Sequence, residues 1–387
     1  MVRAAVCVVI GLGMCRTVAT GQIVDHDDVD DVASLPQATM DAIGQQKWFF
    51  SHASVGSNMV TGMTSLHSAD PNRYQLTRTA VSYNSSQLRA YDPPDPTVNG
   101  TIYDCSRGNP GWQDKLTIFD NSVRVSGWHD PDVDMAMDKF CYIDQNADPN
   151  DYISIMTALE ASYPNTVFVY ITMPLMTSED YNNVKRNNYN DAVRAHCISN
   201  GKLLFDIADM EAHDPNGVAY TFSYSGGTYQ KLYSGYTSDG GHLNTAGQQR
   251  IALGWYATAA AIVGEPTTHT LTLEVINAAW GSVTFDPEPN DPNSPTYPAD
   301  ANVTLTATPN EGKAFRHWVI YDPNYPGDAN HAVLDANAST TIVMNADREV
   351  TAAFKCGGGG MAPFWAGGLL LMGVVAARRR RRNVSRR

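Results

Sequence analysis

The 387-residue sequence predicts an α/β layered domain followed by a small all-β domain. Between residues 40 and 264, segments typical of buried strands alternate with segments of helical periodicity, as the crossovers of a parallel sheet require. From residue 270 to 355, short alternating segments are separated by clusters of Pro, Asp and Asn, a pattern typical of all-β domains. Residues 265–269 lie between the two patterns and are predicted to be a linker.

The predicted strands of the first domain are rich in β-branched and aromatic residues, and they cover residues 47–51, 75–83, 133–142, 166–173 and 202–207. Helical spacing predicts helices over 151–162 and 179–200, and Gly201 is a typical C-cap for the second of them. In an open parallel sheet the functional site lies at the carboxyl ends of the strands.

The N-terminus predicts an exported protein. Arg3 precedes an apolar run over residues 4–15, and small residues follow up to Gly21. Residues 1–21 are therefore predicted to be a secretory signal peptide that is cleaved near Gly21. Residues 22–39 contain five aspartates between positions 25 and 31, which predicts a solvated acidic leader.

Composition and charge exclude some classes of partner. The net charge is −13, and seven arginines stand in the last ten residues, so the remainder carries about −20. So acidic a body argues against nucleic acid as a partner. Cys105, Cys141 and Cys197 are an odd number, which allows one disulfide that the sequence does not assign. No metal-ligand spacing of the C-x-x-C or H-E-x-x-H kind is present, so no cofactor is expected.

Two stretches predict nucleophilic catalysis. In the first, Phe49-Phe50-Ser51-His52-Ala53-Ser54-Val55-Gly56-Ser57-Asn58, an apolar strand end leads through small residues into a helix. This setting exposes a serine hydroxyl at the top of a sheet, and Ser54 is the predicted nucleophile. On this stretch alone, the serines would be interpreted as turn and N-cap residues.

The second stretch is Asp239-Gly240-Gly241-His242-Leu243-Asn244-Thr245-Ala246-Gly247, which precedes a helical pattern over 248–262. An aspartate three residues before a histidine can fix the tautomer of the imidazole. His242 is therefore the predicted general base, with Asp239 as its partner.

Together the two stretches resemble the SGNH (GDSL-like) hydrolase family, in a variety that has H-x-S-V-G in place of G-D-S-L. The resemblance implies a three-layer α/β/α sandwich with a parallel, flavodoxin-like sheet over residues 40–264, and ester hydrolysis by a Ser-His-Asp triad. It also implies that Gly108, in the stretch from Ser106 to Trp112, donates its backbone N–H to the oxyanion, with Gly111 as the second choice. The alternative for this stretch is an ordinary Asn-Pro-Gly turn.

The third block of the family departs from the pattern. Its members usually carry G-x-N-D after a strand, and the Asn side chain is a third oxyanion donor. Here the corresponding stretch is Asp138-Lys139-Phe140-Cys141-Tyr142, without an Asn. Lys139 and Tyr142 are candidate donors, beside the backbone of Ser54, because an oxyanion needs polarised N–H or O–H groups. The alternatives are an ion pair for Lys139 and a core position for Tyr142.

His52 lies two residues before Ser54, on the same side of the strand. It either lines the site or satisfies a carbonyl at the strand end, and the second role is favoured.

The C-terminal part resembles two known kinds of segment. Within 270–355, the phrases Gly281-Ser282-Val283, residues 303–309 and Phe315-x-x-Trp318 resemble the B-repeat modules of internalin-type surface proteins, with the two aromatic residues as core. Residues 356–387 contain Cys356, four glycines, an apolar run over 361–377 and an arginine cluster. This layout resembles C-terminal sorting signals that are cut by membrane proteases, and the alternative is a permanent tail anchor.

The sequence thus predicts a secreted or surface-anchored serine esterase, held at a membrane by its C-terminal segment at least before processing. The expected substrates are esters of small molecules or polysaccharides, with O-acetylated carbohydrate as a candidate. The alternative is a non-catalytic surface protein that binds carbohydrate or protein on the same scaffold.

Overall fold

The computed structural model describes residues 6–10, 14–18, 22–264, 268–289, 295–299 and 301–357. The chain divides into two compact units, Met1–Thr267 and Thr268–Arg387. The predicted glycine-rich sorting motif beyond Gly357, the apolar run and the arginine cluster lie outside the described residues. Within the described ranges, no helix is long and apolar enough to cross a membrane.

The α-helices of the described residues all lie in the first unit. They are α1 (His26–Asp31), α2 (Gln37–Ile43), α3 (Val55–Ala69), α4 (Trp112–Arg124), α5 (Pro149–Ser162), α6 (Tyr181–Asn200), α7 (Ile207–Ala212) and α8 (Thr245–Val263). Helix α6 ends at Gly201, which adopts the left-handed conformation with φ 62°, so the predicted C-cap is confirmed.

The strands of the first unit are β1 (Val6–Ile10), β2 (Met14–Val18), β3 (Ile23–Val24), β4 (Lys47–His52), β5 (Thr77–Val81), β6 (Tyr83–Asn84), β7 (Arg89–Ala90), β8 (Thr101–Ser106), β9 (Met135–Asp138), β10 (Val167–Phe168), β11 (Tyr170–Ile171), β12 (Leu204–Phe205), β13 (Thr221–Tyr224) and β14 (Gly227–Gln230). Strands β1 and β2 pair in antiparallel fashion within the predicted signal peptide, and the cleavage near Gly21 stays a prediction.

The central sheet is parallel throughout. One part has the order β10-β9-β4-β8-β5, and the other has the order β11-β12-β3. Only Val169 separates β10 from β11. Its N–H donates to Ala136 O at 3.1 Å, whereas the N–H of Tyr170 donates to Leu203 O at 3.1 Å. A single extended segment therefore joins both parts, with β4 near the middle.

Helices cover both faces of this sheet. Buried residues of α2, α3, α7 and α8 form the core on one face. Buried residues of α4, α5 and α6 form a second core on the other face. The predicted three-layer α/β/α architecture is confirmed. Strand β8, which pairs with β4 on one side, was not predicted, because Thr101–Ser106 mixes polar and apolar residues although most of it is buried.

The prediction that residues 22–39 form a solvated leader is wrong. Strand β3 pairs with β12 at the edge of the sheet, and the side chains of Val24, Val29 and Val32 are at most 1% exposed. Three valines spaced among the aspartates give this stretch an apolar side, which packs into the core. On the outer side, Asp30 accepts a hydrogen bond from Arg250 of helix α8.

Cys105, Cys141 and Cys197 are all buried and carry free thiols. The disulfide that the sequence allows therefore does not form among the three. Burial raises the pKa of Cys105 to about 12 and that of Cys197 to about 12.

The strands of the second unit are β15 (Thr268–Ile276), β16 (Gly281–Asp286), β17 (Thr296–Pro298), β18 (Asn302–Pro309), β19 (Lys313–Tyr321), β20 (Ala332–Asp335), β21 (Ser339–Val343) and β22 (Arg348–Cys356). They form one sheet of order β17-β15-β22-β19-β20 and another of order β16-β18-β21. Trp318 is fully buried between them and Phe315 packs against the same core, so the predicted all-β domain and its aromatic core are confirmed.

One buried carboxyl makes the stability of the first unit depend on pH. Glu211 of helix α7 has no exposed surface. One of its oxygens accepts a hydrogen bond from the N–H of Leu175 at 2.7 Å, and the other has no partner in the described part of the chain. Burial raises the pKa of Glu211 from 4.5 to about 8.

The pKa of Glu211 is higher in the folded chain than in the unfolded chain, so protonation of this carboxyl stabilises the folded state. The stabilisation is complete below pH 4.5 and is lost as the pH rises toward 8. Replacing Glu211 with Gln keeps an acceptor for Leu175 and removes the titration. We expect the free energy of unfolding of Glu211→Gln, relative to wild type, to rise between pH 5 and pH 8 in urea titrations. Glu179→Gln, at an exposed carboxylate, is the control. Parallel pH profiles for Glu211→Gln and wild type would contradict this prediction.

Candidate active site

The turn between β4 and α3 carries the predicted nucleophile. Ser54 has φ 55° and ψ −113°, an angle pair that is strained for a residue with a side chain. Strand β4 ends at His52 and helix α3 begins at Val55, so the turn between them consists of Ala53 and Ser54 alone. This is the geometry that presents a serine hydroxyl above the edge of a sheet.

His52, the last residue of β4, is buried next to this turn. Its side chain is 1% exposed, and Nε2 is hydrogen-bonded to the carboxylate of Asp104, which also accepts from Nε of Arg78 at 2.5 Å. Burial lowers the pKa of the His52 imidazole. A Cβ atom on Gly56 would lie 2.4 Å from Cβ of His52, so only glycine lets the helix approach this closely. His52 is therefore a buried structural residue, but its partner is the carboxylate of Asp104 and not the strand-end carbonyl that the sequence favoured.

The structure brings together the three predicted catalytic residues. Oγ of Ser54 lies 2.7 Å from Nε2 of His242, and Nδ1 of His242 lies 2.7 Å from Oδ2 of Asp239. A hydroxyl, an imidazole and a carboxylate in this order form a proton relay from nucleophile to base, with the base held in one tautomer.

Asp239 is kept ionised by the loop that carries it. Its Oδ1 accepts from the backbone N–H of Gly241 at 3.0 Å and from that of His242 at 2.8 Å. These hydrogen bonds, with the one to the imidazole, hold the pKa of Asp239 well below its usual range. The side chains of Asp239 and His242 are 54% and 43% exposed, so the site is open to solvent.

The loop of His242 is anchored at both ends. Oδ1 of Asn58, in the first turns of helix α3, accepts from the N–H of Leu243 at 3.1 Å. On the other side, the N–H of Thr177 donates to Gly240 O at 3.0 Å. Asn244 caps helix α8 by accepting from the N–H groups of Ala246 and Gly247. No role for Asn58 was predicted from the sequence, although it lies in the first turn of α3, four residues after Ser54.

Gly108, the predicted oxyanion donor, lies in the loop after β8, the strand that pairs with β4. Parallel pairing places His52 opposite Ser106, so Ser54 and Gly108 each stand two residues beyond a matched pair. Gly108 has φ 75° and open space around its Cβ position. The N–H of Ser54 has no acceptor within the described ranges and is free to serve as a second donor. Gly111, the second choice, is instead the N-cap of helix α4.

Lys139 and Tyr142 occupy different environments. Lys139 is fully buried below the site, and its Nζ lies 3.8 Å from Sγ of Cys141. This burial prevents a direct contact with substrate, so Lys139 is not retained as an oxyanion donor. Lys139 also forms no ion pair within the described part of the chain, so the alternative prediction of an ion pair for Lys139 is not supported. Tyr142 is half-buried, with its hydroxyl 3.3 Å from Nε2 of His242, and it stays a candidate.

Two buried ion pairs below the loops were not predicted from the sequence. Arg107 contacts Asp138 at 3.0 Å and also donates to Lys139 O at 3.0 Å. Lys115 contacts Asp144 at 2.5 Å. The first pair joins the residue after β8 to the last residue of β9, and the second joins helix α4 to the segment after β9. Because their partners are about 30 residues apart in sequence, no local pattern indicated them.

A group of possible metal ligands lies at helix α7. Nδ1 of His26 lies 2.5 Å from Oδ1 of Asp209, and Nδ1 of His213 lies 2.8 Å from Asp209 O. The two imidazole rings stack at 3.5 Å with an interplanar angle of 5°. The lone pairs of parallel stacked rings do not converge on one point. The geometry therefore favours a hydrogen-bonded contact between α1 and α7 over the binding of a metal ion.

Comparison with known proteins gives a family for the second unit. Residues 271–358 match the divergent InlB B-repeat domain. The B-repeat match covers nearly all of the β-rich unit and agrees with the resemblance seen in its sequence. No curated protein sequence matches the chain.

Several solved hydrolases are similar to the chain at low scores. A GDSL-like lipase from Bacteroides thetaiotaomicron is 12% identical, with 61% of this chain and 97% of that chain covered and a TM-score of 0.36. A catalytic mutant of an acetylxylan esterase from Geobacillus stearothermophilus is 12% identical, with 55% and 94% covered and a TM-score of 0.35. An alpha/beta hydrolase enzyme from the metagenome of Lake Arreo is 16% identical, with 56% and 96% covered and a TM-score of 0.35. Such scores are too low to assign a function, which has to be inferred from the geometry of the site.

The contact between Gly56 and His52 is tested by substitution. Gly56→Ala places a methyl group against a buried ring that is fixed by Asp104, and we expect it to destabilise the fold by about 2 kcal/mol or more. Gly108→Ala is the matched control, because it meets no atoms and adds only the strain of a positive φ, about 1 kcal/mol. Urea denaturation measures both values. Equal losses in the two variants would show that the approach of α3 to His52 is not tight.

Proposed function

We propose that the chain is a secreted or surface-anchored serine esterase. The observation that carries this proposal is the linear arrangement of Ser54, His242 and Asp239, joined by two contacts of 2.7 Å at a strand-to-helix turn. A strained serine is expected to persist only where the surrounding structure enforces it, and such strain clusters at active sites.

In the proposed mechanism, Oγ of Ser54 attacks the acyl carbon while Nε2 of His242 accepts the hydroxyl proton. Asp239 stabilises the imidazolium that forms. The N–H groups of Ser54 and Gly108 bind the oxyanion of the tetrahedral intermediate. His242 then gives its proton to the leaving alcohol, and a water molecule, activated by the same imidazole, releases the acid and regenerates Ser54.

The open site favours small acyl groups on bulky alcohols. Since His242 and Asp239 are about half exposed, a large alcohol can remain outside the site while its acyl group reaches Ser54. Acetyl esters on polysaccharides have this character, and we propose O-acetylated carbohydrate as the substrate class.

Hydrolysis of p-nitrophenyl acetate and release of acetate from acetylated glycans test the proposal. We expect Ser54→Ala to abolish turnover, with a loss on the order of 10⁶ in kcat, and Asp239→Asn to lose about 10⁴ because the imidazole takes the wrong tautomer. Ser57→Ala, at an exposed serine one turn along α3, is the control and should retain wild-type activity. Equal activity of Ser54→Ala and wild type would contradict the proposal.

A second candidate is a non-catalytic surface protein that binds carbohydrate or protein. The B-repeat match of the second unit favours it, because that unit adds nothing to the triad. A glycan array probed with wild type and Ser54→Ala separates the two functions. Selective binding by both proteins, with no ester turnover by wild type, would support the second candidate.

We also propose that the C-terminal segment is removed during export. The sequence places four consecutive glycines, Gly357 to Gly360, before an apolar run and an arginine cluster, and glycines have no side chains that would obstruct a protease cleft. Cleavage between Cys356 and Gly360 removes about 3 kDa and seven arginines. Intact-mass analysis of protein from its native host should show this loss. A mature chain that still ends in Arg387 would indicate a permanent anchor instead.

A further inference from the structure

A groove lined by aromatic side chains lies beside β5, at one edge of the central sheet. Its volume is about 620 Å³, which is within the range of small-molecule binding sites. The rings of Tyr103 and Trp128 are buried, with their centroids 5.2 Å apart, whereas Tyr91 is 56% exposed and Tyr83 is half-buried. Apolar residues at a protein surface are usually scattered singly, but these four rings line one groove.

The main chain holds Tyr91 in place although its ring is exposed. The N–H of Tyr91 donates to Ser82 O at 3.0 Å, and the carbonyl oxygen of Tyr91 accepts from Nε1 of Trp128 at 2.8 Å. Prolines follow at positions 93, 94 and 96, and each of them fixes its own φ. Little main-chain freedom therefore remains to be lost when a ligand binds against the ring of Tyr91.

The groove lies at the same edge of the sheet as the nucleophile. Val81, at the end of β5, pairs with Cys105 of β8, which pairs with Ser51 of β4. Tyr83 follows this row by two residues, and Ser54 follows it by three. Neighbouring strands are about 4.8 Å apart, so the main chains of β5 and β4 are about 10 Å apart. A ligand larger than a single sugar can therefore contact Tyr83 and Ser54 together.

The chemistry of the lining fits a carbohydrate. A sugar ring has faces of C–H groups, which stack on tyrosine rings, and a rim of hydroxyl groups, which need hydrogen-bonding partners. The groove offers such partners in the exposed residues Ser82 and Asp92, and the carboxylate of Asp92 also accepts from Nη1 of Arg89. In the described part of the chain, β5 pairs only with β8, so its outer main-chain groups have no partner strand.

We infer that this groove binds the carbohydrate chain that carries the ester. Sugar rings stack on Tyr91 and Tyr83 while the acetyl group of a neighbouring sugar reaches Ser54. The inference rests on the proposed esterase function and deepens it, because it makes the preferred substrate an acetylated polysaccharide chain rather than a single acetylated sugar.

The dependence of hydrolysis on chain length tests this inference. The probes are O-acetylated cellohexaose and O-acetylated mannohexaose, each compared with its acetylated monosaccharide. We expect wild type to hydrolyse at least one hexasaccharide with a kcat/KM about tenfold or more above that of the monosaccharide, mainly through KM. Tyr91→Ala should lose this preference. The ratio of the two kcat/KM values is the readout, because it cancels any general effect of the substitution on the triad.

Two further variants separate stacking from a structural effect. Tyr91→Phe keeps the ring and should keep the preference for the hexasaccharide. Tyr181→Ala is the matched control, because Tyr181 is also 56% exposed and does not line the groove, so it should keep the preference as well. Thermal melting followed by circular dichroism verifies that all variants are folded.

The outcomes separate this inference from the function on which it rests. A wild-type protein without turnover of p-nitrophenyl acetate overturns the esterase function and the inference with it. An active wild type that prefers neither hexasaccharide overturns the inference alone. A preference that survives in Tyr91→Ala, or that is lost equally in Tyr181→Ala, also overturns it. Loss of the preference in Tyr91→Ala, with its retention in Tyr91→Phe and Tyr181→Ala, supports it.

Discussion

The left-handed backbone of Ser54 is the constraint on which the rest of the site depends. A residue with a Cβ atom adopts this conformation at a cost of about 1–2 kcal/mol, so the surrounding structure has to enforce it. Strand β4 fixes the chain up to His52, and helix α3 fixes it from Val55. Between them, the carbonyl of Ala53 accepts from the N–H of Gly56, which closes the turn. The hydroxyl of Ser54 is left exposed toward His242.

Buried charges below the site connect the loops that surround this turn. Strands β8 and β9 are the neighbours of β4 on either side. The Arg107–Asp138 pair joins the residue after β8 to the last residue of β9, and the Lys115–Asp144 pair joins helix α4, which follows β8, to the segment after β9. Such pairs stabilise a fold less than apolar packing does. They do restrict how the loops can move, because separating either pair would leave an uncompensated charge in the core.

The parts of the molecule that local patterns determine were predictable. Ser54, His242 and Asp239 stand in short motifs whose turns, caps and glycines belong to neighbouring residues, and the alternation of strands and helices predicted the layers. Interactions between distant segments were not predictable in this way. Strand β8, the hydrogen bond between Asn58 and Leu243, and the two buried ion pairs depend on which segments the sheet brings together. The prediction for residues 22–39 was wrong because it followed from the five aspartates alone. The three spaced valines give the same stretch a buried apolar side.

The central claim is that Ser54 is a nucleophile activated by His242. The most direct measurement is the reaction with a fluorophosphonate, followed by peptide mapping of the adduct by mass spectrometry. A strained, base-activated serine should be labelled at one site, on Ser54, and His242→Gln should lose the labelling while retaining its fold. Labelling that is absent from the folded wild-type protein, or that is found on another residue, would contradict the claim.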